Sequence, residues 1–95
     1  MTRLSADTIQ QKLSRLEGSS LTGEAISKKY TFPSFSKAMA FVNQVADLAE
    51  QADHHPDILI NYRRVTLTLS THSEGGLTQK DFDLAEKIDK DWQVR

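Results

Sequence analysis

The pattern that most constrains the fold is an apolar stripe in the middle of the chain. Its members advance by three or four positions, as one face of an α-helix does: Phe35, Ala38, Phe41, Val42, Val45, Leu48 and Ala49. The spacing predicts an amphipathic helix that begins after Ser34 as N-cap and runs to about Ala52. Pro56 disfavours a helical conformation at His55, so the helix ends within residues 53–56. Such a helix needs an apolar surface to cover its stripe.

Alternating polar and apolar residues on both sides of this helix predict that the surface is a β-sheet. Upstream, residues 25–32 alternate, and Gly23 marks a turn before them. Downstream, residues 58–62 and 65–71 alternate in the same way. A turn at residues 62–64 would fold the last strand back along its predecessor, so these two strands are expected to pair antiparallel.

Two further helices flank this central unit. The first begins at Ser5 as N-cap and is broken by residues 17–20, and its apolar positions are Ile9, Leu13 and Leu16. The last helix is capped by Thr78, and Asp81 stands three residues on in place of the Glu of a capping box. Its apolar stripe consists of Leu84, Ala85, Ile88 and Trp92.

The order of these elements predicts an α+β fold, α-β-β-α-β-β-α, in which the first strand has no clear bounds. Strand pairs separated by helices favour an antiparallel sheet with the three helices packed on one face. The opposite face of the sheet carries many Thr, Ser and Lys side chains. We expect that face either to be solvated or to form a subunit contact.

Length, charge and composition exclude several classes of protein. The 95 residues predict a single domain over residues 1–95, with a core small enough that a homo-oligomer is expected. A formal net charge of −1 argues against a nucleic-acid partner. The absence of cysteine excludes disulfides and thiolate metal sites. The sequence contains no run of about 20 apolar residues that could span a membrane, and residues 1–20 do not resemble a signal peptide. A cytoplasmic protein is therefore expected.

All three histidines lie at the ends of predicted elements. His54 and His55 close the central helix, with Glu50 one turn earlier, and His72 follows the strand over residues 65–71. If the last two strands pair antiparallel, His72 approaches the two adjacent histidines. Imidazoles close together can donate and accept protons near neutral pH. The arrangement therefore predicts an acid–base site.

Other interpretations of the histidines remain open. A histidine at a helix C-terminus can act simply as a favourable charge. Three histidines could also bind zinc, although adjacent histidines seldom point the same way, and a metal-dependent hydrolase is one candidate. The tripeptide Asp53-His54-His55 is similar to the signature of the DHH phosphoesterases, which need further ligands on a longer chain. Asp81 serves first as a cap and second as a site residue.

The spacing of these residues resembles one family. The pattern is Glu50-x₃-His54-His55-Pro56-x₅-Tyr62-x₉-His72-x₈-Asp81, and it is accompanied by Gly76-Leu77-Thr78 and by an upstream Phe32-x₂-Phe35-x₂-Ala38-x₂-Phe41. Together these pieces resemble the signature of the pterin-4a-carbinolamine dehydratases over nearly the whole chain. The resemblance implies a four-stranded antiparallel sheet with helices on one side, assembled as homodimers or homotetramers.

The resemblance also implies a reaction and a set of roles. The substrate is a pterin of the 4a-hydroxytetrahydrobiopterin type, formed by aromatic amino acid hydroxylases, and the products are quinonoid dihydropterin and water. No metal or other cofactor is implied. Proton transfer is assigned to His54 and His72, and His55 mainly holds the substrate. The remaining substrate-binding positions are Glu50, Asp53, Pro56 and Asp81.

Two departures and one alternative accompany this resemblance. Family members often carry tryptophan at the positions of Ser19 and Ile58, so aromatic surface near the pocket is expected to be reduced. Family members in animals also bridge transcription-factor dimers through a helical surface. The alternative function is therefore a non-catalytic protein-interaction module on the same fold, although such a module has no need of three histidines.

Overall fold

The computed structural model describes residues 3–93, so the predicted domain over residues 1–95 extends beyond the described part at both ends. The elements, in chain order, are α1 (Ala6–Leu13), β1 (Ser20–Thr22), β2 (Ala25–Thr31), α2 (Phe35–Ala52), β3 (Asp57–Asn61), β4 (Arg64–Leu69), a single 3₁₀ turn (His72–Glu74) and α3 (Gln79–Gln93). Every helix within residues 3–93 is too short or too polar to span a bilayer.

The strands form one antiparallel sheet in the order β1-β2-β4-β3. Val65, the second residue of β4, pairs with Tyr30 on one side and with Ile60 on the other. The pairing of Asn61 with Arg64 leaves a two-residue turn, in which Tyr62 has a positive φ of 54°. The predicted α+β fold and the predicted hairpin between the last two strands are therefore confirmed.

The predicted starts of the first and central helices are confirmed by their capping bonds. The backbone N–H of Thr8 donates to Ser5 Oγ over 3.3 Å, and the N–H of Lys37 donates to Ser34 Oγ over 3.1 Å. These bonds satisfy amide groups that have no partner inside the helix. The first helix ends at Leu13, earlier than its apolar stripe predicted. Leu16, the last residue of that stripe, lies beyond the helix and is nevertheless buried.

The least predictable element is β1. It has only three residues, all of them exposed, so it shows no alternation of buried and exposed side chains. The sequence marks the region just before it only as a helix break. The strand exists because it pairs along the edge of β2, through a hairpin that turns at Gly23 with a φ of 60°.

The core lies between one face of the sheet and the helices. Val65, Leu67 and Leu69 are buried on that face and alternate with polar, more exposed residues of β4. The stripe of α2 covers them with Ala38, Phe41, Val45, Leu48 and Ala49. Phe35 was predicted to belong to this stripe but is 49% exposed, because it lies at the first residue of the helix and stacks on Tyr62 instead.

The end of α2 places two of the histidines. Asp53 closes the helix in the left-handed conformation with a φ of 51°, and its N–H donates to the Glu50 carbonyl over 3.2 Å. The N–H of His54 donates to the Ala49 carbonyl over 3.1 Å. A left-handed residue reverses the chain direction at a helix end. The chain therefore leaves α2 towards the start of β3, beside the end of β4.

Candidate active site

A buried carboxylate organises one part of the site. Asp81 lies in the first turn of α3 and its side chain is fully buried. Its Oδ1 lies 2.5 Å from Nε2 of His54. Its Oδ2 accepts hydrogen bonds from the backbone N–H of Thr78 over 2.9 Å and from the Thr71 hydroxyl over 2.8 Å. We call these four residues the Asp81 network.

Asp81 also has the capping role that the sequence predicted. The bond from the Thr78 N–H to Oδ2 is the carboxylate half of a capping box. The Thr78 hydroxyl lies 2.8 Å from the Thr71 hydroxyl. Because Thr71 uses its proton on Asp81, Thr78 is the donor of that bond. The network thereby ties the start of α3 to the residues that follow β4.

His54 is held in one orientation by this carboxylate. Its side chain is 11% exposed, so most of the ring is enclosed while part of it still reaches solvent. An acceptor at Nε2 places the proton of a neutral ring on that nitrogen and leaves Nδ1 as the basic one. A base that is oriented by a third group is a recurring arrangement in acid–base catalysis.

The other two histidines line a shared cavity of about 260 Å³ at the end of the sheet. Its lining residues come from the β1–β2 turn, the start of β2, the segment that leads into β3, the end of β4 and the 3₁₀ turn: Glu24, Ala25, His55, Asp57, Thr68, Ser70 and His72. We call this space the histidine cavity. Its volume is close to the lower limit, about 300 Å³, of typical small-molecule sites. It suits a single flat heterocycle.

The predicted site residues therefore fall into three groups. His55 and His72 line the histidine cavity, whereas His54 and Asp81 form the buried pair and are not among its lining residues. Three further predicted residues do not line the cavity either: Glu50, Asp53 and Pro56.

Two of those three residues have visible structural roles. Glu50 Oε2 lies 3.6 Å from Nε2 of His55, and both side chains are largely exposed, so the pair adds little to stability. Asp53 is the left-handed residue that ends α2. The structure thus accounts for the type of residue at position 53 by backbone conformation.

Five residues of the cavity were not identified as site residues from the sequence, and one of them, Ala25, was predicted only as the start of a strand. Asp57 directly follows the His-His-Pro run, and Thr68 and Ser70 alternate with buried residues of β4, so a signal existed for these three. Glu24 had none. It reaches the cavity only because β1 pairs with β2, and no pattern in the sequence marks β1 as a strand.

The metal interpretation finds no set of ligands in the part of the chain that is described. Within residues 3–93, no three His, Asp or Glu side chains come together as metal ligands do. Zinc sites in proteins use at least three such ligands.

A second polar cluster joins β2 to α3 outside the histidine cavity. Asp89 Oδ1 accepts a hydrogen bond from the Tyr30 hydroxyl over 2.7 Å and lies 3.1 Å from Lys28 Nζ. Burial raises the pKa of Tyr30 well above its usual range, and the hydrogen bond to Asp89 and the charge of that residue add to the shift. The cluster joins the sheet to α3, and its three residues are neither lining residues of the histidine cavity nor members of the Asp81 network.

The fold and the site together define a class: a small antiparallel α+β protein whose cavity is lined by imidazole and carboxylate groups. A family model described as Pterin 4 alpha carbinolamine dehydratase matches residues 2–90. The chain belongs to the pterin-4a-carbinolamine dehydratase family, as its sequence pattern implied.

Relatives match over most of their length. A protein from Roseiflexus sp. (strain RS-1) is 56% identical over 94% of this chain and 96% of its own. One from Sulfolobus acidocaldarius is 43% identical over 93% and 97%. Both carry the provisional name pterin-4-alpha-carbinolamine dehydratase.

Solved structures share the fold. A Brucella melitensis protein described as a transcriptional coactivator/pterin dehydratase superposes with a TM-score of 0.90 at 38% identity, covering 94% of this chain and 97% of that one. A pterin dehydratase-like protein described as a RuBisCO assembly factor of the alpha-carboxysome has a TM-score of 0.63 at 23% identity, covering 76% and 83%. The second likeness concerns the fold alone.

The two positions that lack the expected tryptophans do not line the histidine cavity. Ser19 lies beside a small pocket between the sheet and α3, and Ile58 pairs with Leu67 in the edge strand.

Proposed function

We propose that this protein is a 4a-hydroxytetrahydropterin dehydratase. The observation that carries the proposal is the pairing of His54 with a buried carboxylate next to a cavity lined by two more histidines. Family membership supplies the reaction type. The proposal leaves the substituent on the pterin ring open.

The proposed reaction is an elimination of water by general acid–base catalysis. Hydroxide is a poor leaving group, so an acid delivers a proton to the hydroxyl oxygen as the bond to C4a breaks, and water leaves. A base accepts a proton from a ring N–H, and the electron pair of that bond joins the ring system. The product is the quinonoid dihydropterin. The enzyme has donated one proton and accepted another, so its total number of protons is unchanged.

We assign the two proton transfers to His54 and His72. His72 lines the cavity directly. His54 would act through Nδ1, because Asp81 engages Nε2. Asp81 is then a positioning residue, which fixes the tautomer and the orientation of the ring.

The remaining predicted residues have supporting roles in this proposal. His55 lines the cavity and holds the substrate, and Glu50 lies close enough to orient its ring. Asp53 and Pro56 shape the segment that carries the adjacent histidines, and either can also contact substrate at the cavity mouth. These assignments predict larger effects on substrate affinity than on the chemical step.

The test is the rate of dehydration of enzymatically generated 4a-hydroxytetrahydropterin. The wild-type protein should accelerate the reaction over buffer, and His54→Ala or His72→Ala should each lower kcat by roughly 100-fold or more. Ser73→Ala is a matched control, because Ser73 neighbours His72 in the 3₁₀ turn and does not line the cavity. Full activity in the double variant of His54 and His72 would overturn the proposal.

We also propose that the protein forms a homodimer or homotetramer through β3. This strand lies at the edge of the sheet, and all of its residues are exposed. Ile58, Leu59 and Ile60 are 37%, 57% and 37% exposed, which is unusual for three consecutive apolar residues. An edge strand with free backbone groups and apolar side chains favours pairing with another strand. A second copy of the chain offers the same edge.

A protein-interaction module is the second candidate function. It is favoured by the same exposed apolar edge and by the Brucella relative, whose description includes transcriptional coactivator. The two functions need different residues. A module that acts only by binding would keep its partner affinity when His54 and His72 are replaced, and it would show no dehydration above buffer.

A further inference from the structure

The histidine cavity contains two carboxylates that are not assigned a role by the proposed mechanism. Glu24 lies in the β1–β2 turn and Asp57 is the first residue of β3, so they approach the cavity from opposite edges of the sheet. Both line the cavity together with His55 and His72. The carboxylates predicted to flank the substrate, Glu50 and Asp53, do not.

The hydroxyl groups of the cavity already use their protons within the protein. Ser70 Oγ donates to the Glu24 carbonyl over 2.8 Å. Ser27 Oγ donates to the Leu67 carbonyl over 3.4 Å, so Thr68 is the donor in the 3.1 Å bond between the Thr68 and Ser27 hydroxyls. Towards the cavity, Ser70 and Thr68 therefore offer only oxygen lone pairs.

The wall formed by these four residues thus consists of hydrogen-bond acceptors. Two carboxylates and two hydroxyl oxygens face the space, and the imidazoles of His55 and His72 supply the groups that can donate. A complementary ligand presents several N–H donors along one edge. An amino-pyrimidinone ring has such an edge, because a ring N–H and the neighbouring exocyclic amino group point the same way and match one carboxylate in bidentate fashion.

We propose that Glu24 and Asp57 bind the amino-pyrimidinone edge of the pterin and select it over ring systems that lack the amino group. The inference rests on the proposed function and adds the part of the site that sets substrate class. The C4a–N5 side lies across the bicycle from that edge. Binding by the carboxylates would therefore turn the reacting carbon towards the imidazoles.

One protein cation also approaches Glu24. Arg3 Nη1 lies 3.7 Å from Glu24 Oε1, with side chains that are 58% and 70% exposed. An ion pair this exposed contributes little. A ligand N–H can replace it, so Arg3 does not prevent Glu24 from binding the substrate edge.

The experiment compares Glu24→Gln, Asp57→Asn and the double variant with the wild-type protein. The first readout is the steady-state kinetics of dehydration. The second, which needs no turnover, is the dissociation constant of pterin and of lumazine, which has a carbonyl in place of the amino group. Both dissociation constants are measured by titration of the ligand's fluorescence. Glu74→Gln is the matched control, because Glu74 lies in the 3₁₀ turn beside His72 but outside the cavity wall.

We expect each single variant to raise KM and the dissociation constant of pterin by roughly tenfold or more, the effect of losing a hydrogen bond to a charged group. The value of kcat should stay within about twofold, because the carboxylates do not take part in proton transfer. Lumazine should bind the wild-type protein more weakly than pterin, and the double variant should lose that preference. The Glu74→Gln variant should match the wild type.

The outcomes separate this inference from the proposed function. If the wild type dehydrates the substrate while the variants keep its KM and its preference for pterin, the inference is wrong and the function stands. A fall in kcat at constant KM would also overturn it, because it would place the carboxylates in the chemical step. If the wild type accelerates nothing and binds no pterin, the proposed function itself fails.

Discussion

At the residue scale, a single carboxylate, that of Asp81, has several roles in the site. Asp81 caps α3, accepts a hydrogen bond from the Thr71 hydroxyl and orients His54, all from a fully buried position. The sequence predicted the cap from spacing, and the family resemblance implied a place in the site. Geometry shows that the two roles are compatible, because the cap uses Oδ2 and the histidine uses Oδ1.

Asp81→Asn should separate positioning from catalysis. We expect kcat to fall by at least about tenfold, because the amide cannot hold His54 as the carboxylate does. The free energy of unfolding should fall by about 1–3 kcal/mol, as the buried network and the charge at the start of α3 are lost. Chemical denaturation and steady-state kinetics measure the two effects.

The division of that loss between kcat and KM identifies its cause. Loss of positioning should lower kcat and leave KM within about twofold, because Asp81 does not line the histidine cavity. A structural defect that disturbs the cavity would raise KM as well. Asp83→Asn, on the exposed side of the same helix, should leave both kcat and KM unchanged.

Individual residues also show where inference from the sequence stops. His72 and His55 could be placed near each other because the pairing of β3 with β4 follows from alternation and a short turn. Glu24 could not, because its position depends on β1, whose three exposed residues carry no periodic signal. Asp53 was interpreted through the family pattern, and only its backbone conformation shows a structural role.

At the element scale, caps and periodicity account for most boundaries. Ser34 and Ala52 bound α2 as predicted, because a side-chain cap and a left-handed residue fix both ends. The strand predicted over residues 65–71 ends instead at Leu69. Thr71 leaves the ladder and pairs with Gly76, closing the loop that carries His72. Local pattern alone does not distinguish a strand from such a bridge.

The contact of β2 with α3 predicts a specific dependence of stability on pH. The pKa of Tyr30 is raised in the folded protein, mainly by burial, and lies near 10 in an unfolded chain. The stabilising effect of the neutral hydroxyl is therefore complete below about pH 10 and declines as the pH rises above that value. Tyr30→Phe should remove this part of the alkaline decline.

The same variant should cost stability at neutral pH. Loss of the hydrogen bond to Asp89 should lower the free energy of unfolding by about 1–3 kcal/mol. Urea denaturation across the pH range measures both effects. Tyr62→Phe is the control, since Tyr62 is 69% exposed, and it should leave the curve unchanged. Parallel curves for the wild type and Tyr30→Phe above pH 10 would contradict the assignment.

At the scale of the whole molecule, one helical stripe and three alternating segments were sufficient to predict the α+β class. The central helix must cover the apolar face of the sheet. In the observed core, the stripe of α2 packs on the buried residues of β4. The exposed apolar residues of β3 were not predicted to stay uncovered. Alternation indicates which residues share a face, but not whether a helix is long enough to cover an edge strand.

That uncovered edge predicts the state of association. If a second copy covers β3, the wild type should run as a dimer or tetramer in size-exclusion chromatography with light scattering. Leu59→Lys should shift it towards the monomer, because a charge at the edge opposes strand pairing. Ser36→Lys adds the same charge at an exposed position of α2 and should not. A monomeric wild type would rule out the proposed interface.

The most direct test of the account is the rate at which this protein removes water from 4a-hydroxytetrahydropterin. The account predicts acceleration over buffer by the wild type, lost when both His54 and His72 are replaced by alanine and retained in Ser73→Ala. Dehydration by the double variant at the wild-type rate would contradict the assignment of these histidines. No acceleration by folded wild-type protein would contradict the proposed function itself.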